Sequence, residues 1–93
     1  MVLKFRKKPV VVEAMQIPSP GPDFCANGEE FVRWLDDGGC KYGIHPDATV
    51  YIITIEGEMK ARPGDWVIKG VRGEFYACKK DIFDETYEPA EWV

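Results

Sequence analysis

The sequence from Thr49 to Cys78 reads TVYIITIEGEMKARPGDWVIKGVRGEFYAC, in which short runs of branched and aromatic residues alternate with turn residues. Such runs are typical of β-strands, and they predict strands at 49–55, 58–61, 66–69 and 74–78. Glu56–Gly57 fits a two-residue hairpin turn, Arg62–Asp65 has the proline and glycine of a tight turn, and Gly70–Gly73 forms the last short loop. Connections this short make the neighbouring strands antiparallel.

A further strand is predicted near the N-terminus. Residues 10–17, VVVEAMQI, are rich in valine, and each face of the strand carries one polar side chain, Glu13 or Gln16. We therefore expect this strand to be covered on both sides. Residues 2–8 alternate more weakly and are interrupted by Pro9.

One helix is predicted in the middle of the chain, at residues 28–37. Asn27 suits the N-cap position, and Gly38–Gly39 suits the C-terminal end. The apolar residues that recur at helical spacing are Phe31, Trp34 and Leu35. The flanking residues 18–27, which contain three prolines, and residues 40–48 are predicted to be irregular. Residues 81–87 are expected to form one or two helical turns capped by Asp81.

The composition favours strands, since Val and Ile total 16 residues and Leu only 2. We expect an α+β, mainly β fold: a small curled antiparallel sheet or partly open barrel of about five to six strands, with the helix at about 28–37 packed on it. With 93 residues and no obvious linker, residues 1–93 are expected to form a single domain.

The net charge narrows the class of protein. Lys and Arg total 12 against 16 Asp and Glu, a net charge of −4, which argues against a general nucleic-acid binder. No apolar run is long enough to cross a membrane, and the charged N-terminus does not fit a signal peptide. We therefore expect a cytoplasmic protein with neither a nucleic acid nor a membrane as partner.

The cysteines also fit a cytoplasmic protein. The odd set Cys25, Cys40 and Cys78 argues against a disulfide framework, and with His45 it has poor spacing for zinc, so we expect no metal and no cofactor. The charges are placed unevenly. The basic residues Lys4, Arg6, Lys7 and Lys8 crowd the start, and the acidic residues Asp81, Asp84, Glu85, Glu88 and Glu91 crowd the end. Either both ends are solvated, or they meet within one chain or between subunits.

Residues 56–88, EGEMKARPGDWVIKGVRGEFYACKKDIFDETYE, and residues 5–16, FRKKPVVVEAMQ, together resemble a family of small tailed-phage and prophage proteins, the PGDYG-type group. Trp66 stands where the family name has tyrosine, and the two stretches cover about half of the chain. The resemblance implies a phage-borne accessory protein expressed in the bacterial host cytoplasm. It brings no catalytic mechanism with it.

Several residues could bind a ligand. Lys69, Arg72 and Glu74 flank two glycines whose amides could approach an anion, although a solvated charged hairpin is the alternative. Glu13 and Gln16 lie in an apolar strand and must be satisfied either by a ligand or by an internal partner. The predicted ligand-binding set, which includes basic and aromatic residues, is Arg6, Lys8, Glu13, Gln16, Trp66, Lys69, Arg72, Glu74 and Tyr76.

No catalytic set stands out, because Ser19 and His45 are each the single residue of their type and lie in predicted loops. We therefore expect a binding protein without catalysis. The phage context that the resemblance implies, the basic residues beside glycines and an aromatic content of 13% lead us to expect that it captures a small anionic, nucleotide-like host signalling molecule and so counteracts host defence. A chain this short rarely encloses a ligand alone, so a homo-oligomer is expected. The alternative is a module that binds a host or phage protein through its acidic surface.

Overall fold

A computed structural model describes residues 1–5, 9–19 and 22–90 of the chain, with the backbone alone for 22–27. It has six strands and two helices. In chain order the elements are β1 (Glu13–Gln16), α1 (Pro22–Asp37), β2 (Tyr42–Ile44), β3 (Val50–Thr54), β4 (Gly57–Ala61), β5 (Trp66–Lys69), β6 (Phe75–Cys78) and α2 (Lys80–Thr86).

The strands form two antiparallel sheets of three, in the orders β1-β5-β6 and β2-β3-β4. The chain passes from one sheet to the other at Arg62–Asp65. There Pro63 fixes φ, Gly64 takes a φ of 93°, and the Asp65 amide donates to the Arg62 carbonyl at 2.9 Å. This is the tight turn that the sequence predicted. The α+β expectation is confirmed at this level, whereas the described strands do not close into a barrel.

The core lies between the two sheets and α1. Phe31 and Leu35 of the helix are fully buried there, and Trp34 packs at the edge, which confirms the predicted apolar stripe. The core side chains contributed by the strands and by the segment after β1 are Ile17, Val50, Ile52, Ala61, Val67 and Phe75. The helix therefore buries one face, as an amphipathic surface helix does.

Several predicted boundaries were wrong. The helix begins at Pro22 and not at residue 28, because proline has no N–H to lose in the first turn, and Asn27 lies inside the helix. Residues 42–44, predicted to be irregular, form β2 by pairing with β3 across the connection 45–49, a pairing that three residues alone do not signal. The β3–β4 turn is Ile55–Glu56, since Thr54 pairs with Gly57. The N-cap of α2 is Lys79, not Asp81.

The N-terminal strand is shorter than predicted. Residues 10–12 precede β1 unpaired, and residues 1–5 belong to no strand. The C-terminal helix α2 covers the face of the β1-β5-β6 sheet that points away from the core. Side chains alternate along a strand, so Trp66 and Ile68 point to this face while Val67 points to the core, and Ile68 is fully buried there. Neither helix is long and apolar enough to span a membrane, within the described residues.

Candidate functional site

The β5–β6 hairpin has a closed end, Lys69–Glu74, which we call the hairpin tip and which carries three of the predicted site residues. Its backbone amides already have partners: Gly70 donates to the Glu74 carbonyl at 2.7 Å and Gly73 to the Gly70 carbonyl at 3.0 Å. The Glu74 carboxylate folds back against Gly70 and accepts the Arg72 amide at 3.0 Å. The Glu74 carboxylate therefore occupies the position where an anion would meet the Arg72 amide, while the Gly70 and Gly73 amides donate to backbone carbonyls.

The two cations of the hairpin tip diverge. Lys69 lies opposite Glu13 in the β1–β5 register, and its ammonium sits 5.9 Å from the centroid of the Phe75 ring, a cation–π contact. Arg72 is exposed at the loop. The structure does not bring these two side chains together around a recess.

The polar residues of β1 both have internal partners. The Trp34 indole N–H donates to Glu13 Oε1 at 3.0 Å, and the Gln16 amide donates to the Gly64 carbonyl at 2.9 Å. The first bond ties β1 to α1, and the second ties β1 to the β4–β5 turn. This arrangement matches the alternative in which both residues are satisfied within the protein.

Trp66 and Tyr76, predicted as ligand contacts, do lie together beneath α2. Trp66 stacks on Phe83 with ring centroids 4.1 Å apart and an interplanar angle of 9°, and Phe83 stacks on Tyr87 at 5.0 Å. The hydroxyls of Tyr76 and Tyr87 are 3.3 Å apart. Burial, followed by this hydrogen bond, raises the pKa of Tyr76, so its hydroxyl stays protonated at neutral pH.

An apolar groove of about 880 Å³ runs beside this aromatic stack, and we call it the aromatic groove. Pro9–Val12 and Ala14 form one wall, Trp66 and Phe83 lie at one end, and Tyr87–Ala90 forms the other wall. The segments near the two termini thus lie side by side, and Asp84 and Glu88 make the rim acidic. The basic residues Arg6 and Lys8, predicted as ligand contacts, lie outside the described residues.

Trp66 carries a second feature at this groove. Its indole N–H is buried and has no hydrogen-bond acceptor among the described residues. A buried donor without an acceptor costs about 1–3 kcal/mol.

A second recess, of about 700 Å³, lies at the open end of the same hairpin. Four cationic side chains line it, together with Pro63 and three aspartates, and we call it the cationic cleft. The cations come from three places in the chain: Lys60 from β4, Arg62 from the β4–β5 turn, and Lys79 and Lys80 from the junction of β6 with α2. Asp84 lines both the cleft and the aromatic groove, so the two recesses adjoin there.

The carboxylates of the cationic cleft are largely occupied. Asp65 accepts the Arg62 amide at 3.0 Å and the Lys80 amide at 3.1 Å, which fixes the turn against the start of α2. Asp84 pairs with Lys80 at 3.0 Å. Within the described part of the chain, Lys60, Arg62 and Lys79 make no ion pair. Three cations therefore remain to meet an anion, and the guanidinium of Arg62 can bind a phosphate or carboxylate through two parallel bonds.

The nucleophiles near the site are poorly activated. Burial, with a smaller contribution from Asp65 and Asp81, raises the pKa of the Cys78 thiol beside the cleft. Burial and Asp36 do the same to the pKa of Cys40. No three His, Cys, Asp or Glu side chains in the described ranges are placed to hold a metal ion. The arrangement can bind through charge, stacking and hydrogen bonds.

Sequence reasoning missed the cleft, although one signal for it was present. The predicted strands pair so that Trp66 lies opposite Cys78, which places the Arg62–Asp65 turn beside the Lys79–Lys80 doublet. It also missed Phe83 and Tyr87, whose spacing of four residues puts both rings on one face of α2 and its extension.

No protein-family model matches the chain, and no curated protein or solved structure is significantly similar to it. Membership of the phage family that the sequence resembles therefore stays an expectation.

Proposed function

We propose that this protein binds a small anionic, nucleotide-like molecule and holds it without catalysis. The observation that supports this most strongly is the contact between the cationic cleft and the aromatic groove, which share Asp84. A ligand with a phosphate and a planar ring needs such a pair of subsites, since the phosphate requires cations and the ring requires a stacking or apolar surface.

In this proposal the phosphate lies among Lys60, Arg62 and Lys79, and the ring lies at the Trp66–Phe83 end of the groove. Of the predicted ligand contacts, Trp66 lines this site, and Tyr76 contacts Tyr87, another residue of the groove, through its hydroxyl. Lys69, Arg72 and Glu74 lie at the other end of the hairpin and have no part in it.

The biological role follows from the resemblance to the phage family. A phage protein in the host cytoplasm that captured a nucleotide-derived signal would lower its free concentration and counteract the host defence that responds to it. Native mass spectrometry of protein purified from bacteria tests this first. We expect a nucleotide-sized mass to leave the protein on denaturation and to be chemically intact.

The site is tested by calorimetric titration of the full chain with adenosine monophosphate, adenosine and inorganic phosphate. We expect the monophosphate to bind most tightly, because it alone fills both subsites. Arg62→Ala and Lys79→Ala should each lower its affinity roughly tenfold, about 1.4 kcal/mol per lost charged contact. The matched controls are Lys69→Ala and Arg72→Ala, cations of the same hairpin, which should change the affinity less than twofold.

The opposite pattern, in which the hairpin-tip variants lose binding and the cleft variants keep it, would return the site to the hairpin tip. Equal affinities for adenosine and adenosine monophosphate would show that the cationic cleft does not bind the phosphate. A ligand at 100 times its dissociation constant adds about 2.7 kcal/mol to stability, so a missing thermal shift at such excess would count against binding.

A second candidate, binding of a host or phage protein through the acidic surface, has one structural observation in its favour. Ile82 of α2 is 51% exposed and is flanked by the exposed acidic residues Asp81 and Glu85. Ile82→Lys should then abolish capture of the partner and leave adenosine monophosphate binding unchanged, whereas the cleft variants should do the reverse.

A further inference from the structure

Residues 1–5, which we call the N-terminal arm, carry large apolar side chains that are exposed to solvent. Met1, Val2, Leu3 and Phe5 are each at least 63% exposed. A contiguous exposed apolar stretch usually marks an interaction surface. The radius of gyration is 14.5 Å, against about 12 Å for a compact chain of this length, which is consistent with a segment that projects from the body.

The aromatic groove is also an apolar surface, and the N-terminal arm of the same chain does not fill it. Its walls, Pro9–Val12 and Tyr87–Ala90, are apolar, and Val10 and Val11 are themselves 52% and 61% exposed. Because the side chains of the N-terminal arm are exposed in the same structure, the arm of this chain does not occupy the groove. Among the described residues, the groove is therefore open to an occupant from another molecule.

Charge complementarity identifies that molecule. The arm carries Lys4 and is followed in the sequence by Arg6, Lys7 and Lys8, whereas the rim of the groove carries Asp84 and Glu88. The arm thus combines apolar side chains with a basic one, and the groove combines an apolar lining with acidic side chains. Oppositely charged borders favour encounter and fix the register of two surfaces.

We propose that the N-terminal arm of a second copy of this chain lies in the wall-lined part of the groove, between Pro9–Val12 and Tyr87–Ala90, and that two copies exchange arms around a two-fold axis. Such an interface uses the same pair of surfaces twice, as closed dimers do. The Trp66–Phe83 end of the groove stays free for the ring of a ligand. This inference concerns assembly and does not depend on any ligand.

The first test is the oligomeric state of the full chain by sedimentation equilibrium. We expect a dimer that Phe5→Asp weakens at least tenfold, because it places a carboxylate in an apolar, acidic-rimmed groove. Ile55→Asp is the matched control: Ile55 is fully exposed, apolar and at the β3–β4 turn. It should leave the dimer unchanged. A monomer at every concentration, or equal effects of the two substitutions, would overturn the proposal.

A charge exchange gives the second test. Glu88→Lys should weaken the dimer several-fold at low salt, and the double variant Lys4→Glu with Glu88→Lys should recover most of that loss. Added salt should reduce the effect, since exposed charges are screened over about 8–10 Å. Failure of the double variant to recover would assign the interface to another surface. Binding of adenosine monophosphate to a monomeric Phe5→Asp variant is measured separately, so failure of the dimer and failure of the proposed function are distinguishable.

Discussion

At each end of the β5–β6 hairpin an acidic side chain holds backbone amides: Glu74 holds that of Arg72, and Asp65 holds those of Arg62 and Lys80. At the hairpin tip the cations and the carboxylate belong to one short loop, whose amides donate to acceptors within the same loop. At the open end the cations come from three segments of the chain and surround a cleft of about 700 Å³. The difference shows that a recess needs converging segments, whereas charges and glycines within one loop do not provide it.

The largest expected effect is a difference in stability between variants of the two acidic side chains, Asp65 and Glu74. Asp65→Ala removes two charge-assisted hydrogen bonds, one within the turn from the Arg62 amide and one that joins the turn to α2 from the Lys80 amide. It should cost about 2 kcal/mol, or roughly 10 °C in melting temperature. Glu74→Ala removes one such bond at an exposed loop and should cost about 0.5 kcal/mol. Thermal unfolding followed by circular dichroism measures both, and equal losses would contradict the structural distinction between the ends.

The sequence was most informative where local chemistry decides the outcome. Pro63 and Gly64 set the β4–β5 turn, and Phe31, Trp34 and Leu35 set the buried face of α1, because a turn type and a helical stripe depend on neighbours in the chain. The strand β2 was missed because its three residues gain their structure from pairing with β3. Such pairing is a property of the assembled sheet.

The candidate site was predicted less well for the same reason. Gly70 and Gly73 do form the tight loop that the sequence suggests, but its amides donate to acceptors within the loop, namely the carbonyls of Gly70 and Glu74 and the Glu74 carboxylate. Residue type alone does not reveal which acceptor a loop amide takes. The cationic cleft unites Lys60 with Lys79, whose separation of 19 positions is bridged only by the folded turn and hairpin. Trp66 was predicted as a ligand contact, and this stays a prediction, whereas its stacking on Phe83 required the position of α2.

Trp34 and Trp66 differ in whether the indole N–H has a hydrogen-bond acceptor. The Trp34 N–H donates to Glu13, whereas the Trp66 N–H at the open end has no acceptor among the described residues. Trp34→Phe should therefore cost about 1–2 kcal/mol more than Trp66→Phe, measured by denaturant unfolding. If a ligand takes the Trp66 N–H, Trp66→Phe should also lower the affinity for adenosine monophosphate several-fold. A costlier Trp66→Phe would mean that this N–H has a partner in the folded protein.

The hairpin tip itself can be opened. Glu74→Ala frees the Arg72 amide and removes a negative charge between Lys69 and Arg72, so the tip should gain weak binding of inorganic phosphate. The expected signal is a titratable shift of the amide resonances of residues 70–73 that is absent in the unsubstituted protein and lost again on adding Arg72→Ala. An unsubstituted tip that already responds to phosphate would show that Glu74 does not occupy the anion position.

The smallest expected effect is a change in the pKa of the Cys78 thiol, which reports the electrostatic field at the open end of the hairpin. Asp81 and Asp65 contribute to the raised pKa of Cys78, and they act in addition to burial, which is the larger cause. Asp81→Asn removes one charge that opposes the thiolate, so the pKa of Cys78 should fall and its alkylation at pH 8 should quicken about twofold. Cys40 is the control, because its pKa is raised by burial and by Asp36, and its rate should not change. Site-resolved mass spectrometry separates the two rates. A faster Cys40, or an unchanged Cys78, would show that the charges around the cleft do not act locally, and a local field is what an anion-binding recess requires.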